Sequence, residues 1–135
     1  MTLRERQAKE YLAEAERTLL AAEVLYRANF GLWVQVVTSS YDAMEQAVSA
    51  AIAAKEQDIP REHAEKIKEF VRLCGPPPAL LNVLTSWVSR RSASRYVDVR
   101  GESLVVPRTL FSERDAQRAL GDAHAILAYV KGLLP

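Results

Sequence analysis

The amino-acid sequence predicts an all-α protein, an up-and-down antiparallel bundle of four to five helices. Three observations carry that expectation. The composition is rich in alanine, glutamate and leucine, and 135 residues include only five glycines, a balance that favours helix over sheet. Apolar residues recur at steps of three and four through most of the chain, which is the spacing of one helix face. Between the striped segments stand helix-stopping residues: Asn29 with Gly31, Pro60, and the run Gly75-Pro76-Pro77-Pro78.

Each element follows from its own signals. Thr2 and Glu5 spell a capping box for a first helix, and Leu12, Ala15, Leu19, Ala22 and Tyr26 stripe it as far as about Arg27. A second helix carries Trp33, Val37, Ser40, Met44, Ala47, Val48 and Ala51 and ends near Lys55. Each of the two would be about 35–40 Å long at 1.5 Å per residue. Pro60 suits the first turn of a third helix, whose apolar face reads Ile67, Phe70, Val71 and Cys74. The fourth helix bears Leu80, Leu81, Leu84, Trp87 and Val88 and then turns basic. From Tyr96 to Phe111 the helical period is lost. Val97, Val99, Leu104, Val105 and Val106 around Gly101 fit a small hairpin or an ordered loop. Ser112 and Asp115 cap a last helix striped by Ala116, Ala119, Leu120, Ala123, Ile126, Leu127, Val130 and Leu133. Small residues on several faces of the second helix, among them Ser39, Ser40, Ala43 and Ala47, place it at the centre of the assembly.

Length and composition limit the function classes. The chain has the size of one domain, residues 1–135, long enough to bury a core without metals or disulfides. Its single cysteine, Cys74, has no internal partner, so a reducing compartment is expected. The charged start of the sequence does not read as a signal peptide, and no apolar run approaches the ~18 residues of a membrane span. The expected location is the cytoplasm, without membrane attachment. Neither His63 nor His124 has metal-ligand partners at helical spacing, so no metal or cofactor is expected. Net charge is +1, yet residues 61–100 hold eight basic and four acidic side chains. Such a local excess can attract an anion on a nearly neutral protein.

That excess includes Arg90, Arg91, Arg95 and Arg100, with Tyr96 beside them. Arginine forks suit phosphate oxygens and a tyrosine ring can stack on a base, so Arg90, Arg91, Arg95 and Tyr96 form a candidate site for a nucleotide or RNA. The competing explanation is a charged helix end, where cations sit well against the helix dipole. Trp33, Trp87 and Met44 fall on apolar stripes and belong to the core. Asp42 and Glu45 flank the stripe of the second helix and read as surface or interface groups.

The order of these features resembles the HEPN domain family. Tyr41-Asp-Ala-Met44-Glu-Gln-Ala47 is similar to the Tyr-x-Ala-Met/Phe core of that family's second helix. Gln57-Asp-Ile-Pro60 followed by His63 is similar to its loop and the histidine opening its third helix. Arg91-Ser-Ala-Ser-Arg95-Tyr96 is similar to its Arg-x-x-Ala-Asp-Tyr element. The resemblance implies a homodimeric helical bundle that binds nucleotides or RNA, often encoded beside a minimal nucleotidyltransferase as a toxin–antitoxin pair. It also implies, as an alternative, a metal-independent ribonuclease toxin using an Arg-x(4–6)-His motif; a dimerisation module without ligand is the third possibility. Two departures bear on this choice. Arg95 stands where the family has aspartate, and no histidine follows Arg91 at the motif's spacing. Arg118 and His124 do have that spacing and are the candidate catalytic pair, although six residues of straight helix turn the chain by about 240° and separate their side chains. His63 joins the binding candidates through its place in the family pattern.

Overall fold

The computed structural model describes residues 1–93 and 96–135. Five α-helices dominate it: α1 (Leu3–Ala28), α2 (Trp33–Ala54), α3 (His63–Cys74), α4 (Pro78–Ala93) and α5 (Glu113–Leu133). Between α4 and α5 lie two three-residue strands, β1 (Asp98–Arg100) and β2 (Ser103–Val105), and a 3-10 turn at Pro107–Thr109. The strands settle the open reading of this segment as a hairpin, antiparallel with Val99 opposite Leu104. Gly101 takes its corner at φ 62, a backbone conformation that side chains resist.

Local chemistry accounts for the helix ends. The Thr2 hydroxyl accepts the Glu5 amide at 3.0 Å and donates to Glu56 at 2.5 Å, so Thr2 caps α1 while also tying it to the segment after α2. Arg4 pairs with Asp58 and reinforces that tie. Asn29 and Gly75 close α1 and α3 in the left-handed conformation. The Ser112–Asp115 capping box is complete, with both reciprocal bonds present. Pro60, expected in the first turn of the third helix, lies before it. Proline disfavours the helical region for Ile59, which packs against the core instead, and α3 begins at His63 with Glu62 extended at its N-cap. The apolar face of α3 also differs from expectation: Leu73 packs against the core with Ile67, Phe70 and Cys74, whereas Val71 is exposed.

The core forms around α2. Fourteen of its residues are buried, including Ser40, Ser49 and a set of alanines, and α1, α3, α4 and α5 all pack against it. Its small side chains let these neighbours approach from several directions. Met44, Ile52, Phe70, Leu84 and Ile126 are the largest fully buried groups. Phe70 of α3 meets Tyr129 of α5 edge-on at 6.2 Å. The indole N–H of Trp87 donates to Asp122 at 2.7 Å, so the expected core residue also ties α4 to α5. No helix among the described residues is long and apolar enough to cross a membrane.

Candidate functional site

Where α2, α3 and the end of α4 meet, the charged residues of three helices face one another. Asp42 and Glu45 stand one turn apart on α2, and His63 and Lys66 one turn apart on α3. Glu45 accepts from two α3 side chains: Lys66 Nζ lies 2.8 Å from one carboxylate oxygen and His63 Nδ1 2.6 Å from the other. Asp42 accepts from Arg91 of α4 at 2.9 Å. The Arg91 guanidinium lies 5.2 Å over the ring of Tyr41, and His63 approaches the same ring edge-on at 6.1 Å.

Burial and charge set the protonation of this cluster. Burial pushes the Glu45 carboxyl up, but the hydrogen bond and charge of Lys66, followed by those of His63, outweigh it and hold the group below the usual carboxylate range. Burial is also the main reason that the Tyr41 phenol is raised above its ordinary range; the neighbouring Glu45 adds to the effect and Arg91 opposes it. Glu45 is therefore anionic and Tyr41 neutral at neutral pH.

Two open hollows flank the cluster and share His63 and Arg91. One, of about 360 Å³, is bordered by Asp42, Glu45, Gln46 and Lys66 together with Tyr11 and Thr18 of α1. The other, of about 260 Å³, is bordered by Tyr41, Val88, Ser89, Ser92 and Tyr96. Glu62, the N-cap of α3, makes no side-chain hydrogen bond to the first-turn amides beside His63. A helix N-terminus of this kind favours anions.

The structure thus brings together three of the residues read from the sequence: His63, Arg91 and Tyr96. It sends Arg90 elsewhere. That guanidinium lies over the rings of Trp87 and Phe111, at 4.6 and 5.0 Å, and pairs with Asp115 at 3.0 Å, binding α4 to the start of α5. Arg100 pairs with Asp98 on the hairpin at 3.7 Å. Arg95 lies outside the described residues. Arg118 and His124 are both exposed on the unbroken α5, and His124 pairs with Glu23 of α1; neither borders the hollows at Arg91. Tyr41, Asp42, Glu45 and Lys66 are cluster members that the sequence reading did not assign to the site. Their signal was available: two carboxylates on a helix of small residues need cationic partners once its faces are covered. Among the described residues, no group of three or more histidine, cysteine, aspartate or glutamate side chains could hold a metal ion.

These features define a helical-bundle protein with an open ionic hollow on its flank. The family model of the HEPN domain matches residues 8–133. The chain therefore belongs to the HEPN domain family. No curated protein matches it at a significant level.

Proposed function

We propose that this HEPN protein is a cytoplasmic nucleotide- or RNA-binding protein whose phosphate site is the hollow between His63 and Arg91. The observation that carries the reading is convergence: residues 28 positions apart border the same two hollows, with Lys66 bordering one and Tyr96 the other. An arginine fork and an ammonium suit phosphate oxygens, and an exposed tyrosine ring suits a base. Titration of labelled RNA at two salt concentrations tests it, because phosphate contacts make affinity fall with salt. Arg91→Ala should weaken binding about ten- to a hundredfold, the worth of a charge-assisted hydrogen bond. Unchanged binding in a folded Arg91→Ala protein would refute the site.

The second reading is a metal-independent ribonuclease. The position of His63 favours it, since Glu45 holds the ring nitrogen Nδ1 and an oriented imidazole beside an arginine can move a proton next to a held phosphate. RNA incubated with EDTA distinguishes the two. Cleavage lost in His63→Ala supports catalysis in the hollow, and cleavage lost in His124→Ala would move it to α5. Binding without cleavage is the expected outcome. A homodimer acting with a minimal nucleotidyltransferase in a toxin–antitoxin pair completes the proposal; it is supported by family membership and is checked by light scattering and by the neighbouring gene.

A further inference from the structure

The hollow at Arg91 does not end at Lys66. A third and larger one, of about 670 Å³, adjoins it through the shared residues Tyr11 and Lys66 and is bordered by Arg4, Asp58 and Arg61. The three hollows therefore share borders in sequence, forming a chain of adjoining depressions along the flank of the molecule. On α1 the border runs from Arg4 through Gln7 and Tyr11 to Thr18, at the three-, four- and seven-residue steps that keep it on one face. Fourteen residues of helix at 1.5 Å each give this stretch a length of about 21 Å. The other end continues past Arg91 to Tyr96.

A single nucleotide does not need that length. At about 3.4 Å per nucleotide of a stacked strand, 21 Å corresponds to about six. Cations recur along the path as Arg4, Arg61, Lys66 and Arg91, with the His63 ring among them, and the tyrosines Tyr11 and Tyr96 border it. Three carboxylates, Asp42, Glu45 and Asp58, are each engaged by one of these cations. Arg61 is exposed and, among the described residues, has no ion-pair partner. The excess positive charge thus lies at the end remote from Arg91. Phosphate contacts spaced along a groove with interleaved aromatic rings are the arrangement that holds a single strand without reading its sequence.

We infer that the ligand of this site is a single-stranded oligonucleotide several nucleotides long, lying from Tyr96 past Arg91 and Lys66 to a second phosphate subsite at Arg61. The inference rests on the nucleotide reading of the Arg91 hollow and adds to it a length requirement and a remote contact.

The test uses the full chain and two fluorescein-labelled RNAs, of about two and about eight nucleotides, the longer falling within the site sizes of about 4–16 nucleotides typical of single-strand grooves. The longer RNA should bind at least about tenfold more tightly in the wild-type protein. Arg61→Ala should remove most of that advantage, lower the salt slope of the longer RNA by about one, and leave the shorter RNA unaffected. A duplex of the longer sequence should bind no better than the short RNA. Because Arg61 is exposed, loss of fold does not confound the variant, and Arg61→Glu should exaggerate the effect. Equal affinity for both lengths, or an Arg61→Ala protein that keeps the full advantage, would overturn the extended groove while leaving the Arg91 site intact. Failure of both RNAs to bind would overturn the Arg91 site and the extended groove together.

Discussion

Tyr41 shows how much of the site is decided by one side chain. Its ring is 2% exposed, under the Arg91 guanidinium and beside His63. Its phenol is raised above the ordinary range, chiefly by burial and then by Glu45. A group whose folded pKa is raised above its unfolded value stabilises the fold fully below the unfolded pKa, near 10 for tyrosine, and loses that contribution as pH rises through the folded value. Spectrophotometric titration of the five tyrosines should therefore show Tyr41 ionising last, and only as the alkaline protein unfolds. Tyr41→Phe should remove that late step. If all tyrosines titrated together near pH 10 in the folded protein, the packing described for Tyr41 would be wrong. Residue by residue, the sequence was a good guide to what is buried: Met44, Leu84, Trp87 and the stripe of α5 from Ala116 to Val130 lie in the core, with Leu133 half-buried against it. It was a poor guide to where charges point. Arg90 and Arg91 are neighbours in sequence, but about 100° per residue sends one to Trp87 and Phe111 and the other to Asp42.

At the scale of the elements, legibility followed the length and regularity of each signal. The long stripes of α1, α2 and α5 and the Ser112–Asp115 box were readable because each is a local rule satisfied several times over. The start of α3 was not. Its position depends on Ile59 packing against the core and on the latch between α1 and residues 56–58, both tertiary effects that no local spacing announces. The hairpin is three residues per strand, too short for periodicity to separate strand from loop. One feature of α5 has no local justification. Gly121 and Gly132 lie inside the helix with nothing within 4 Å of where a Cβ would stand, and neither adopts a positive φ. Gly121→Ala and Gly132→Ala should each stabilise the protein by about 0.5–1 kcal/mol, because alanine loses less freedom on entering a helix. Urea denaturation measures this directly, and destabilisation by either change would mean that α5 is packed against something at that point.

For the molecule as a whole, the deciding feature is that α2 is enclosed by the rest of the chain. The sequence suggested a central helix because small residues occupy more than one of its faces, and α1, α3, α4 and α5 cover those faces. Close approach is the role of the alanines, so adding volume there should disturb several contacts together. Ala47→Leu, at a site with no exposure, should cost about 1–3 kcal/mol and lower the thermal midpoint. A neutral effect would show that the bundle can spread to accommodate the extra atoms. Of the site, what could be read beforehand was its chemistry, an arginine and a histidine with a tyrosine nearby. Its assembly could not, because the partners of those residues come from α2 and α3 and meet them only after the bundle has closed.

The bond from Thr2 to Glu56 and the pairing of Arg4 with Asp58 bear on how the protein is handled at the bench. They fasten the first turn of α1 to the segment that leads into Arg61 and His63. An affinity tag fused to the amino terminus, or trimming of the first few residues, therefore acts on the groove at a distance, by loosening the strap that positions its edge.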